Sequence, residues 1–270
     1  MAVSLERSRV EVPGGSLAVT RAGEGPAVVF LHGLGLNAAI WEPQLEALAP
    51  RQLAIAFDQR GHGQSSAADT PYARHDDVVA VLDALSVRAA HLVGSSMGGE
   101  VALDTALAHP SRVRSLLLLS PALGGFAWSP RWRDSMRAMR DAANAGGPAA
   151  AKEAWWAHAL FAPARAREES RERLRAAVFA DAGRRWSERD PAIPLEPPAA
   201  ARLDQVRCPT TILIGEDDLA DFHAIARTLA AGIPHARLRT IKGGHLPMIE
   251  SPAETAALLG EILDAAPPSA

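Results

Sequence analysis

The strongest constraint on the fold is an alternation of short apolar runs, bounded by turn residues, with longer segments of helical period. The runs lie at 17–20, Ala27–Leu31, Leu53–Phe57, 91–93, 115–119, 210–214 and Arg237–Ile241. Most are too short for a helix, and several are apolar at consecutive positions. Strands covered on both faces carry that pattern, because a parallel sheet with helices on each side exposes neither face to water. The helix-like segments are 41–48, 76–85, 99–108, 222–230 and 253–264. Together they predict a doubly wound α/β sheet. Residues 9–12 and 17–20, on either side of Pro13-Gly14-Gly15, read instead as an antiparallel hairpin opening the sheet.

The alternation stops between about 121 and 203. This stretch is helical in pattern and holds five of the six tryptophans: Trp128, Trp132, Trp155, Trp156 and Trp186. Trp132, Met136, Met139 and Ala143 fall on one helical stripe. The expected organisation is a core of 1–120 and 204–270 interrupted by a helical lid at 121–203. Trp128, Trp132 and Trp155 are candidate substrate-facing groups, although docking of the insert alone also accounts for the stripe. The arginine-rich stretch 165–175 reads as a solvated helix face, with docking of an acidic carrier protein as the rival reading. Pro191, Pro194, Pro197 and Pro198 mark the return to the sheet.

At 270 residues, 48% of them apolar, the chain can bury the core of one large domain. A net charge of -3 points neither to nucleic acid nor to an anionic membrane surface. The single cysteine, Cys208, excludes an intramolecular disulfide and leaves no cysteine metal cluster. Beside Pro209 and a β-branched run, it is expected to be a buried structural thiol. No apolar stretch approaches the ~18 residues of a membrane span, and the opening residues show no secretory signal. A cytoplasmic location is the expectation.

The segment 91–99, HLVGSSMGG, is an apolar strand, then a glycine-flanked serine turn, then a helix start. G-x-S-x-G in that setting is a nucleophile elbow. The turn must be tight enough to lift the serine hydroxyl above the sheet, so residues two before and two after it pass too close to carry side chains. Ser96 has Gly94 and Gly98 there, whereas Ser95 has Val93 and Met97. Ser96 is the candidate nucleophile. Its place at a helix start adds the helix dipole to any negative charge stabilised there. The run Ala27–Leu31 leads into His32-Gly33-Leu34-Gly35, so Leu34 and Met97 are the expected backbone donors of an oxyanion hole. His32 precedes the nucleophile and is expected to be structural.

A serine hydroxyl needs a base, and an imidazole base needs a carboxylate to fix its tautomer. Of nine histidines, His245 follows a strand and the flexible Lys242-Gly243-Gly244, where a loop can carry an imidazole over the sheet edge. His235, before the same strand, reads as a turn residue. For the acid, the run 210–214 ends in Gly215-Glu216-Asp217-Asp218 at the carboxyl end of a strand. The residues alone do not separate Asp217 from Asp218. Asp221 is a third candidate that reads more as a helix N-cap.

Five segments in order resemble the α/β-hydrolase family: FLHGLG (30–35), DQRGHGQS (58–65), VGSSMGG (93–99), GEDD (215–218) and GGHLPMIESP (243–252). The resemblance covers the chain apart from the insert. It implies a mostly parallel eight-stranded sheet and selects Asp218 as the acid, three residues after the strand-ending glycine. It also implies that His62 is structural. Residues 28–120 look most like 3-oxoadipate enol-lactonases and related carboxylesterases, lactonases and cofactor-free perhydrolases. Serine at 96 sets the chain apart from the dehalogenases and epoxide hydrolases, which use aspartate there. Leu246 departs from the tryptophan usual in C–C bond hydrolases, and Leu219-Ala220-Asp221 departs from the Thr-Pro usual after the acid. The expected activity is hydrolysis of a small-to-medium carboxylic ester or lactone, with no cofactor or metal implied. C–C hydrolysis or perhydrolysis on the same triad, or a slow or inactive receptor of the same fold, are the alternatives.

Overall fold

The consecutive apolar runs become strands with no water on either face: Ala27–Leu31, Ala90–Ser95 and Thr210–Gly215 are buried at every position. A computed structural model describes residues 3–180, 186 and 190–264. Parts of the expected lid (181–185 and 187–189) and both chain ends (1–2 and 265–270) lie outside the described residues. In chain order the elements are β1 (Glu6–Val12), β2 (Gly15–Ala22), β3 (Ala27–Leu31), α1 (Glu42–Leu48), β4 (Leu53–Phe57), α2 (Arg74–Ala84), β5 (Ala90–Ser95), α3 (Met97–Ala108) and β6 (Val113–Leu119). Then follow α4 (Pro130–Ala157), α5 (Ala162–Arg165), α6 (Glu168–Ala180), β7 (Thr210–Gly215), α7 (Ala220–Gly232), β8 (Arg237–Ile241), α8 (Pro247–Glu250) and α9 (Pro252–Asp264).

The eight strands form one sheet in the order β1-β2-β4-β3-β5-β6-β7-β8. β2 runs antiparallel to both β1 and β4, and all pairings from β4 to β8 are parallel. β1 and β8 are the edges and are exposed along most of their length. They carry Glu6, Arg7, Arg9, Arg237 and Arg239, charges that discourage edge-to-edge association. From β3 the chain moves to one side to form β4, and β5 takes the other side. A parallel sheet opens a crevice at the carboxyl ends of its strands at such a reversal. Leu31 of β3 is in register with Gly94 of β5, so the loops leaving those strands are neighbours.

Between β6 and β7 lie α4, α5 and α6, and the described residues there add no strand to the sheet. The stripe on α4 packs inward: Met139 and Ala143 are buried, while Trp132 and Met136 are partly buried against the core. α4 breaks at Gly147, whose φ of 69° is cheap only for glycine, with Pro148 following. Cys208 departs from expectation, being half-buried rather than enclosed. Burial still pushes its thiol up to about 11, which leaves it protonated and unreactive at neutral pH. No helix among the described residues is long and apolar enough to cross a membrane.

Candidate active site

Ser96 occupies the turn between β5 and α3 with φ 54° and ψ -120°, a conformation that serine adopts only under constraint from its surroundings. Its N–H donates to the Leu119 carbonyl (3.1 Å), and its carbonyl accepts from Gly99 (2.9 Å) and Ala122 (2.9 Å). The flanking glycines are sterically required. A methyl on Gly94 would collide with the Gly98 carbonyl, and one on Gly98 with the carbonyls of Leu31 and His32. Ser95, by contrast, is fully buried at the end of β5.

Met97 opens α3, so its N–H has no acceptor within the helix. Leu34 lies inside a turn closed by Leu36 N–H to the Gly33 carbonyl (3.3 Å). Among the described residues neither the Leu34 nor the Met97 N–H donates to an acceptor. The Leu34 turn is pressed against the serine: a Cβ on Gly33 would lie 3.2 Å from Ser96 Cβ. His32 braces the same turn from below. Its Nε2 accepts from Gln59 N–H (2.9 Å), which leaves the proton on Nδ1 to donate to the Gly33 carbonyl (2.9 Å). His62 is buried with Nδ1 3.0 Å from the Arg60 carbonyl and its ring 5.0 Å from that of His32.

The structure joins His245 to Asp218. Nδ1 of His245 lies 2.9 Å and 3.1 Å from the two carboxylate oxygens, and both side chains are almost wholly shielded from solvent. A carboxylate on Nδ1 fixes the tautomer with its lone pair at Nε2. That Nε2 is buried and without a hydrogen-bond partner among the described residues, so it is not bonded to the Ser96 hydroxyl in this arrangement. Asp217 is exposed, its N–H serving the turn by donating to Gly243 (2.9 Å). Asp221 does not cap α7, whose N-cap is Leu219. It is the second residue of that helix and accepts from Ser129 N–H (3.0 Å) and Oγ (2.7 Å), fixing the start of α4 instead.

Glu250, which sequence reasoning missed, holds the histidine loop. Its Oε2 accepts from Gly244 N–H (2.6 Å) and its Oε1 from Leu246 N–H (3.1 Å), the residues on either side of His245. Burial raises its carboxyl above the usual range, opposed by those two N–H groups and the His245 charge, while Asp218 adds to the rise.

The aromatic groups divide into two sets. Trp128 and Trp132 stack with centroids 4.7 Å apart and both meet Phe222 edge-on, at 5.5 and 5.3 Å. Phe222 lies 4.2 Å from the His245 ring. Trp132 also lines a groove of about 380 Å³ with His158, Leu219 and Asp221. Trp155 is only 2% exposed and is enclosed by Phe161, His158 and Trp186. A Cβ on Gly35 would meet its Nε1 at 2.7 Å, so Trp155 backs the Leu34 turn. His158 lies between the two sets, 5.8 Å from Trp132 and 5.2 Å from Trp155. Burial, with smaller contributions from the nearby His245, Arg165 and Arg131 charges, pushes it down to about 4, so it is neutral at ordinary pH. Position alone gave no signal for His158 or Phe222, because both reach this corner only through the fold. The arginines of 165–175 are partly engaged. Arg165 donates to the carbonyls of Trp156 and His158, Arg173 pairs with Glu169, and Arg175 lies 4.4 Å from the Phe179 ring centre.

Comparison with known proteins places this architecture among hydrolases. The model of the alpha/beta hydrolase fold family matches residues 26–252. RutD of Azorhizobium caulinodans, assigned as a carbamate hydrolase, is 30% identical over 82% of this chain and 84% of its own length. RutD of Variovorax paradoxus is 46% identical over 48% of this chain, and the match spans 50% of that protein. 3-Oxoadipate enol-lactonase 1 of Acinetobacter baylyi is 34% identical over 40% of this chain and 41% of its own length. Among solved structures, an N-acyl homoserine lactone degrading enzyme superposes with a TM-score of 0.77 at 31% identity, covering 94% of this chain and 99% of that one.

Proposed function

The chain belongs to the α/β-hydrolase fold family, and from that premise we propose that it is a serine hydrolase of small-to-medium carboxylic esters or lactones. One observation carries the reading. A serine held in a strained turn shares the carboxyl edge of the sheet with an imidazole whose Nδ1 is tied to Asp218 and whose Nε2 is buried and unpartnered. Ser96 Oγ attacks the carbonyl carbon while His245 Nε2 takes its proton. The negative oxygen of the tetrahedral intermediate is held by the N–H groups of Leu34 and Met97. His245 then protonates the leaving alcohol oxygen, giving an acyl-enzyme and free alcohol. Water, deprotonated by His245, attacks the acyl carbon and returns Ser96. For a lactone the leaving alcohol stays attached to the acyl group, and the product is a hydroxy acid.

Residues 121–203 act in this reading as the lid. Trp128 and Trp132 form with Phe222 the wall nearest His245 and take the direct substrate role, whereas Trp155 supports the oxyanion turn from behind. Matches to RutD, assigned as a carbamate hydrolase, extend the reading to carbamates, whose less electrophilic carbonyl would meet the same groups. The partner is a small molecule, and a cytoplasmic location accords with it. The test is turnover of p-nitrophenyl acetate and butyrate, a lactone panel and a carbamate ester by wild type and Ser96→Ala. Wild type is expected to turn over at least one of these, and Ser96→Ala to lose on the order of 10³-fold or more. Full activity in the variant removes Ser96 from its role. One equivalent of product followed by near-zero turnover supports a receptor instead.

A further inference from the structure

We propose that His75, Asp76 and His109 form a binding site for one divalent transition-metal ion of the zinc class, at the seam between α2 and α3. His75 and Asp76 stand in the first turn of α2, and His109 is the C-cap of α3, its N–H bonded to the Thr105 carbonyl at 2.8 Å. Two imidazoles from different helices converge on one carboxylate oxygen. Asp76 Oδ1 lies 2.8 Å from His109 Nε2 and 3.7 Å from His75 Nε2. One ligand atom from each residue lies within 4.8 Å of the others, and the two rings are 5.5 Å apart. Zinc bonds of about 2.0–2.2 Å in a tetrahedron place ligand atoms roughly 3.4 Å apart. The three atoms therefore close on an ion with side-chain shifts of about an ångström and no change of backbone.

A capping contact accounts for His109 against Asp76 but not for the third group directed at the same oxygen. A shared ion accounts for all three. Two imidazoles and one carboxylate suit zinc, nickel, cobalt or copper, and suit magnesium or calcium poorly because those prefer oxygen alone. Asp76 is 62% exposed, His109 31% and His75 13%, so an ion has an entry path and water can complete the coordination. Asp77 is committed to Arg60. The twelve residues of α3, at about 1.5 Å each, put roughly 18 Å of helix between this site and Ser96. The ion would cross-link two helices and take no part in the hydrolysis.

The experiment is calorimetric titration of zinc chloride into tag-free, chelator-treated full-length protein, with cobalt absorption spectra as a second readout. Wild type is expected to bind one equivalent and to gain thermal stability with zinc. Asp76→Asn, at an exposed position where the fold tolerates the change, and His109→Gln are each expected to weaken binding by at least about 10-fold. His235→Gln is expected to bind as wild type does. The proposal is overturned if wild type shows no saturable zinc binding. Unchanged binding in both ligand variants, or loss in His245→Ala with retention in His109→Gln, also overturns it.

Discussion

The turn after β5 and the loop after β8 bring the two halves of the proposed chemistry to the same sheet edge, and they are held by different forces. At the β5 turn the backbone does the holding. Gly94 and Gly98 leave no room for a methyl, Ser96 is strained, and the hydrogen bonds that fix it run between main-chain groups. At the β8 loop two carboxylates do it: Asp218 grips the imidazole of His245, and Glu250 grips the N–H groups before and after it. Backbone sterics tolerate almost no substitution and leave a local imprint in the sequence. Carboxylate clamps can be weakened in steps, and their partners are visible only once the chain is folded.

Substitutions on each side separate the two modes. The largest effect is expected for Asp218→Asn, which leaves the shape intact but frees the tautomer of His245; in comparable triads this lowers kcat by about 10⁴-fold. Esterase kinetics at constant pH measure it, and a loss below 10-fold would mean that another carboxylate orients the base. Gly98→Ala comes next. In an ordinary helix the change adds about 1 kcal/mol of stability. Here the methyl meets the Leu31 carbonyl, so the variant is expected to lose about 1–3 kcal/mol and roughly 10²-fold in kcat/KM through a displaced Ser96. Urea denaturation and steady-state rates read the two together, and a stabilised, active variant would refute backbone control of the turn.

Glu250→Gln is expected to be milder. It keeps one acceptor for the histidine loop and loses the other, so kcat falls about 10-fold with KM nearly constant, within the range that a misplaced group produces. Equal losses in KM and kcat would show that Glu250 serves substrate binding instead. The smallest effect tests whether carboxylates along α3 contribute to the serine turn at all. Burial, reinforced by Glu100 and opposed by Arg202 and Arg74, raises Asp104 from 3.8 to about 7. A folded value above the unfolded one stabilises the protein at low pH, and that contribution is lost as pH rises toward and through 7. Asp104→Asn is therefore expected to raise Tm at pH 8 and leave it unchanged near pH 3, with little effect on kcat. A changed pH–rate profile would tie α3 electrostatics to the serine.

Sequence reading follows the same division. β3 and β4 begin and end where their apolar runs do, β8 spans the segment expected of it, and the paired glycines identified the strained serine from local spacing alone. The interior strands β3, β5 and β7 were legible because a core strand must be apolar at consecutive positions, whereas the eight-stranded sheet followed from the family resemblance. The histidine corner was only half legible. Asp217 and Asp218 are indistinguishable as neighbours in sequence, and the fold turns only the second inward. Asp221 looked like a cap for its own helix but bonds Ser129, 92 residues away. The tryptophans had a helical period, yet period does not tell which ring faces a ligand and which, like Trp155, is enclosed. Glu250 left a faint signal, standing five residues beyond His245 in the segment that carried the family resemblance.

The central claim is that the hydroxyl of Ser96 is the group that attacks the substrate. Labelling with a serine-directed fluorophosphonate, followed by mass-spectrometric mapping of the adduct, tests it most directly. A single adduct on Ser96, absent from Ser96→Ala and formed far more slowly in His245→Ala, is the predicted result. An adduct on any other residue, or labelling of Ser96→Ala at the wild-type rate, would contradict it.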